Sequence, residues 1–148
     1  MKRLRYRWEK IKDRLDDVLA KIGPITSVRG YRYFGFFKVQ HEAVLVKGQN
    51  GSLRISNLLW GFNGEHSRPT VTLLEKLGIH KERAEHIVFS FSSRDYPHLG
   101  VDWHIGFLPN NKLLVLRRDQ IAEISKDSTT AKLLCVPRAA KASKGAGA

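Results

Sequence analysis

Apolar residues near the start of the chain recur at alternating spacings of four and three. The positions are Leu4, Trp8, Ile11, Leu15, Val18 and Ile22. This spacing places them on one stripe of an α-helix, and Gly23-Pro24 ends the pattern. We therefore expect a long amphipathic first helix that packs on the rest of the domain. The same stripe also fits a coiled-coil seam, which makes a second copy of the chain a candidate partner.

Patterns typical of strands come next. Residues 25–39 read as one strand, and residues 42–48 and 52–56 read as two more that are joined across Gln49-Asn50-Gly51. An Asn-Gly pair is typical of a tight hairpin turn. A second hairpin is expected further along, where residues 101–107 and 112–118 flank Pro109-Asn110-Asn111.

Short helices are expected between and after the hairpins. Pro69 begins a helical pattern that Gly78 ends, and residues 81–87 continue as a second helix. The remaining expected elements are a strand at 87–92, a loop at 92–100, a helix within 119–126 and a strand at 131–136.

These elements predict an α+β fold, in which a mostly antiparallel sheet is covered by the long N-terminal amphipathic helix, with short helices between two hairpins. A chain of 148 residues with 42% hydrophobic content has room for one core, so we expect one domain over residues 1–136. Residues 137–148 are mostly small, include three cations and lack acids. We expect them to form a basic disordered tail.

Charge narrows the function. Lys and Arg number 26 against 14 Asp and Glu, a formal net charge of +12, which indicates an anionic partner. The single cysteine, Cys135, excludes an internal disulfide framework. The apolar runs are too short to span a bilayer, and the first residues lack the apolar core of a secretion signal. We therefore expect a cytoplasmic protein with no membrane partner.

The basic residues of the first segment are grouped on one side. Arg3, Arg7, Lys10 and Arg14 share a flank of the expected helix, where they are candidate phosphate contacts. Arg138, Lys141 and Lys144 in the tail are candidates for the same role, because flexible basic ends suit closely spaced phosphates.

The stretch "VRGYRYFGFFKV" at residues 28–39 combines five aromatic rings with three cations. Rings beside cations on a sheet stack unpaired bases and contact phosphates. The candidates are Arg29, Tyr31, Arg32, Tyr33 and Lys38. Phe34, Phe36 and Phe37 are expected to belong to the core.

Two further candidates lie near the loop "NGEHSRP". Trp60 is a stacking candidate, although tryptophan at such a position is more often part of a core. Arg68 precedes a helix, where a cation opposes the helix dipole and would instead suit a bound phosphate.

The sequence offers little for catalysis. Alternating Asp102 and His104 would point to the same face of a strand and begin a metal site, but no third ligand follows at a recognisable spacing. A phosphate-binding Gly-rich loop and a nucleophile elbow are both absent from the sequence. We therefore expect no enzymatic activity, metal or cofactor. An enzyme that acts on nucleic acid through Asp102 and His104 is the remaining catalytic alternative.

The sequence thus predicts a non-enzymatic nucleic-acid-binding protein. Structured RNA is the first expected partner, within a ribonucleoprotein such as the ribosome and among protein neighbours there, because the basic tail suits dense phosphate. The alternative is a single-stranded DNA-binding protein that uses exposed aromatic residues as stacking platforms.

Overall fold

A computed structural model describes residues 1–91, 100–124 and 135–137. These residues form one mixed sheet with short helices. The strands are β1 (Lys2–Arg7), β2 (Ile25–Phe34), β3 (Gln40–Gly48), β4 (Gly51–Ser56), β5 (Gly100–Leu108), β6 (Lys112–Arg117) and β7 (Cys135–Pro137). The helices are α1 (Trp8–Ile11), α2 (Leu15–Ala20), α3 (Arg68–Lys76), α4 (Lys81–Ser90) and α5 (Arg118–Ile124).

The strand order is β1-β4-β3-β2-β5-β6-β7. β1 runs parallel to β4, whereas every other neighbouring pair is antiparallel. The two expected hairpins form: β3 and β4 meet at the Gln49-Asn50 turn, and β5 and β6 meet at Pro109–Asn111. Asn110 and Asn111 both have positive φ, which asparagine tolerates better than most residues.

The predicted long first helix is wrong. Residues 2–7 are an edge strand, and the helical residues that follow are split into α1 and α2 by a turn at residues 12–14. The segment Lys2–Arg7 also alternates in period two, with the three arginines on one side and Leu4 and Tyr6 on the other, and pairing with β4 selects that period. The sheet is therefore not covered by one long helix.

The apolar stripe nevertheless identifies core residues. Trp8, Ile11, Leu15, Val18 and Ile22 are all buried in the same core as the sheet. Because these side chains are used inside the chain, they do not offer the coiled-coil seam on which the expected homodimer was based.

Other expectations differ locally. Residues 87–90 are the last turn of α4 and not the start of a strand. Residues 92–99 of the expected loop, residues 131–134 of the expected last strand, and the tail from 138 lie outside the described residues, while Gly100, the last residue of the expected loop, begins β5. Pro137, where the tail was expected to begin, is the last residue of β7.

One face of the sheet carries the core. Val28 on β2, Val44 and Val46 on β3, and Leu53 and Ile55 on β4 are fully buried, and they pack with apolar residues of α1 to α4. We call this side the core face. The side chains between these positions point to the opposite side.

A β-bulge in β5 changes which side chains enter the core face. The register between β2 and β5 shifts after Gly30, so that Gly30 pairs with Trp103 whereas Tyr31 pairs with Val101. Asp102 is the extra residue, and the bulge allows both Asp102 and Trp103 to point inward. A Cβ on Gly30 would lie 2.4 Å from the Trp103 ring, so glycine leaves the space that this ring fills.

The inward Asp102 is the centre of a buried polar cluster. Its Oδ2 accepts hydrogen bonds from Arg32 Nε at 2.7 Å and from Trp60 Nε1 at 2.8 Å. Arg32 also donates to Glu42 at 2.9 Å. Arg118 lies 3.7 Å from the other carboxylate oxygen. A charge-assisted network of this kind holds the bulge in place.

We expect Asp102→Asn to lower the free energy of unfolding by about 3 kcal/mol, because it leaves the buried Arg32 guanidinium with an incomplete set of acceptors. Glu42→Gln is the matched control, since the Glu42 side chain is 23% exposed, and it should cost about 1 kcal/mol or less. Urea denaturation measures both. A loss for Asp102→Asn no larger than that of the control would show that the cluster does not hold the fold.

Candidate nucleic-acid interface

The side of the sheet opposite the core face carries most of the cations in the strands. Register places its side chains in rows that run across the strands. The central row is Arg5, Arg54, Leu45, Arg29 and His104, on β1, β4, β3, β2 and β5 in turn. A neighbouring row contains Arg3, Ser52, Lys47 and Ser27, and another contains Arg7, Ser56, Ala43 and Tyr31.

We define the basic face as the cations and rings of these rows together with the next cross-strand pair, Tyr33 and His41. Its members are Arg3, Arg5, Arg7, Arg29, Tyr31, Tyr33, His41, Lys47, Arg54 and His104. The strand positions that point to this side include no Asp or Glu. Positive charge here is therefore not neutralised by neighbouring strands.

Arginines face each other directly in the central row. Arg5 lies opposite Arg54 in the parallel pair of β1 and β4, and like charges that face each other across strands are destabilising. Within the described residues, neither side chain forms an ion pair. An anionic ligand would relieve this repulsion.

Aromatic rings lie beside these charges. The Tyr31 and Tyr33 rings have centroids 5.8 Å apart, and Tyr33 stacks on His41 at 5.5 Å. The Arg54 guanidinium lies 4.5 Å from the Tyr33 centroid and 6.0 Å from that of Tyr31. Because β3 separates β4 from β2, the Arg54 side chain must extend across β3, where Ala43 leaves room.

The titration of two groups reflects this surface. Burial raises the pKa of Tyr31, while the Arg54 guanidinium opposes that rise. Burial lowers the pKa of His104 below its ordinary 6.5, and the positive charges of Arg29 and Lys47 lower it further. The Nε of Arg29 is itself buried and has no hydrogen-bond partner in the part of the chain that the structure describes. The centre of the basic face thus disfavours additional positive charge.

The structure brings together some of the predicted site residues. Arg3, Arg7, Arg29, Tyr31 and Tyr33 all lie on the basic face. Lys10 is exposed on α1, which directly follows β1 in the chain. The Arg14 guanidinium stacks over the Tyr6 ring, 5.2 Å from its centroid, and the Arg14 Nε donates a hydrogen bond to the Lys10 carbonyl.

Other predicted residues are used within the fold. Trp60 is buried and bonded to Asp102, so it offers no stacking platform. Arg32 points to the core face and is paired there with Asp102 and Glu42. Arg68 pairs with Glu85 and Asn63 and lies over the Phe89 ring, which accounts for a cation at the start of α3.

For four residues that were predicted to contact nucleic acid, the position of the side chain is not described. Lys38 belongs to a short 3-10 turn between β2 and β3. Arg138, Lys141 and Lys144 lie outside the described residues.

That turn corrects another expectation. Phe34, Phe36 and Phe37 are 46%, 91% and 96% exposed and do not belong to the core. β2 ends at Phe34, and Phe37 has a φ of 59°, so the alternation expected over residues 28–39 stops before these rings.

Sequence reasoning missed Arg5, Lys47 and Arg54. The signal for Arg5 was present, since Arg3, Arg5 and Arg7 alternate at the strand period. Lys47 and Arg54 lie within correctly predicted strands, but only the register shows that they join the same surface as Arg29.

Asp102 and His104 do not lie on the same face. The bulge turns Asp102 into the core, whereas His104 pairs with Arg29 on the basic face. In the described part of the chain, no group of three or more His, Cys, Asp or Glu side chains is suitably placed to hold a metal ion. The geometry therefore provides no metal site built on these two residues.

Among the described residues, none of the helices has the length and apolar character that crossing a membrane requires. Comparison of the chain with protein-family models, curated proteins and solved structures gives no match. The function must therefore be inferred from the basic face itself.

We expect acidification to destabilise the protein through His104. Since its pKa is lower when folded, the unfolded state binds more protons, and the free energy of unfolding falls as the pH drops through 6.5 towards the folded pKa. Urea denaturation between pH 7.5 and 5 measures this, with His104→Gln as the comparison. An equally steep pH dependence in His104→Gln would contradict the assignment, because the other histidines remain in both proteins.

Proposed function

We propose that the protein binds nucleic acid, without catalysis, through the basic face, and that its partner is a structured RNA that presents unpaired nucleotides, as in a loop. The observation that carries this proposal is the unneutralised row of Arg5, Arg54 and Arg29 beside the Tyr31 and Tyr33 rings. Guanidinium groups bind phosphates, and tyrosine rings stack bases.

The dimensions of the row fit a nucleotide strand. β1 and β2 are separated by three strand spacings, which amounts to about 14 Å between Arg5 and Arg29 at the usual spacing of neighbouring strands. A single strand of a few nucleotides spans this distance, with its phosphates near the arginines. Tyr31 and Tyr33, two residues apart on β2, then lie beside the bases.

The identity of the nucleic acid is the finer part of the proposal. Structured RNA within a ribonucleoprotein, such as the ribosome, remains our first choice, with protein neighbours and a cytoplasmic location. It rests on the net charge of +12 and on Arg138, Lys141 and Lys144 near the end of the sequence, which would add phosphate contacts. Single-stranded DNA is the second candidate, because the paired tyrosine rings stack bases of either sugar type.

Charge on the basic face should set the salt dependence of binding. We expect Arg29→Gln and Arg54→Gln each to weaken binding to a uridine decamer and to reduce the slope of log affinity against log salt by about 0.7. Arg83→Gln on α4 is the matched control, since Arg83 is exposed on a helix whose inner residues pack on the core face. Fluorescence anisotropy across a salt series, with melting temperatures as a check on folding, gives both values. Identical slopes for all variants would rule out the basic face as the phosphate contact.

Stacking should depend on the tyrosines. We expect Tyr31→Ala and Tyr33→Ala each to weaken decamer binding by about 1 to 3 kcal/mol, because each removes a ring that stacks a base. Tyr31→Phe and Tyr33→Phe serve as controls that retain the ring. Unchanged affinity with a lowered melting temperature would show that the rings serve the fold alone.

A further inference from the structure

One end of the basic face forms a pocket. It lies where β1 pairs with β4 and has a volume of about 300 Å³. Its lining residues are Arg5, Tyr6, Arg7, Tyr33, Arg54 and Ser56. A volume of this order is at the lower end of the range found for small-molecule sites.

Three arginines contribute to this pocket. Arg5 and Arg7 lie two residues apart on the same side of β1, about 7 Å along the strand, and Arg5 pairs directly with Arg54. Among the described residues, the lining includes no acid. Arg7 approaches Glu9 at 3.6 Å, but both side chains are largely exposed, so this pair neutralises little of the charge. The pocket therefore concentrates more positive charge than one phosphodiester requires.

The Arg54 guanidinium is oriented before a ligand arrives. It lies over the Tyr33 ring at 4.5 Å, and a guanidinium stacked on a ring keeps its N–H donors free around its edge. Arg54 forms no hydrogen bond to another described side chain. Arg32 on the core face, by contrast, donates to Asp102 and Glu42.

We infer that this pocket binds the terminal phosphate monoester of a nucleotide strand, with the adjoining nucleoside against Tyr33. The inference rests on the proposed function and makes it more specific. A monoester carries close to two negative charges at neutral pH, whereas each internal diester carries one. Arg5, Arg7 and Arg54 would share the additional charge, and the Ser56 hydroxyl is a further donor in the lining.

The test compares uridine decamers that differ only in which end, if either, carries a phosphate. Decamers with a 5′-phosphate, a 3′-phosphate or hydroxyls at both ends are titrated into the full-length protein by fluorescence anisotropy. We expect one phosphorylated end to bind about tenfold more tightly than the hydroxyl form, the gain typical of hydrogen bonds to a charged group.

Two variants on the same strand separate the pocket from general charge. Arg7→Gln removes a lining residue, and Arg3→Gln removes an equal charge from β1 outside the lining. We expect Arg7→Gln to abolish the preference for the phosphorylated end, whereas Arg3→Gln weakens all three decamers and retains it. Loss of the preference in both variants would overturn the pocket assignment.

The remaining outcomes distinguish the inference from the proposed function. Equal affinity for all three decamers would overturn the terminal-phosphate pocket and leave nucleic-acid binding standing. Failure to bind any decamer or uridine monophosphate would overturn both the pocket and the proposed nucleic-acid binding.

Competition experiments identify the class of ligand. Inorganic phosphate that competes as well as uridine monophosphate would exclude a nucleotide site. Vesicles containing phosphatidic acid test for a lipid phosphate. If they bind the unmodified protein and Arg3→Gln but not Arg7→Gln, and the decamers show no preference for a phosphorylated end, the ligand is a lipid phosphate instead.

Discussion

The parallel pairing of β1 with β4 is the constraint on which the rest of the surface depends. This register places Arg5 opposite Arg54 and puts Arg3 and Arg7 in the rows on either side. Juxtaposed like charges oppose such a pairing. On the other side of the same strands, Leu53 and Ile55 are fully buried, so burial of apolar area offsets the repulsion. The core face thus holds the arginines of the basic face together.

Arginine has two distinct uses in this chain. On the core face, the Arg32 side chain is 13% exposed and donates hydrogen bonds to Asp102 and Glu42, and these bonds fix the bulge in β5. On the basic face, Arg54 stacks on Tyr33, and its donors have no partner among the described side chains. The first arrangement stabilises a fold at the expense of binding capacity, whereas the second keeps charge available for a ligand. Composition cannot distinguish these two uses, although both arginines contribute to the same net charge.

The sequence predicted correctly the elements that nearby residues specify, and it predicted wrongly an element that depends on a distant strand. Both hairpins were predictable, because Asn50-Gly51 and Pro109–Asn111 specify their turns through residue chemistry alone. Leu4, however, is four residues from Trp8, which fits a helix, and two residues from Tyr6, which fits a strand. Only the pairing of this segment with β4 decides between the two periods. The first helix was therefore predicted wrongly, even though the apolar residues that follow Leu4 were correctly expected to be buried.

The candidate site was predictable to the extent that it depends on one strand. Tyr31, Tyr33 and Arg29 alternate on β2 and were identified together, whereas Arg54 joins them only through the order of three strands, β4-β3-β2. Asp102, by contrast, was assigned to the wrong face of the sheet. Strict alternation placed it with His104, and a single-residue bulge reversed its direction. Bulges and strand order are tertiary properties that a local pattern does not encode.

Photocrosslinking tests the central claim most directly. A uridine decamer with one 4-thiouridine is bound to the full-length protein at low salt and irradiated, and the crosslinked peptides are identified by mass spectrometry. The account predicts crosslinks on β2 and β4, at or beside Tyr31, Tyr33 and Arg54, which form the ring and guanidinium cluster of the basic face. Crosslinks confined to α3 and α4, which pack against the core face, would contradict it.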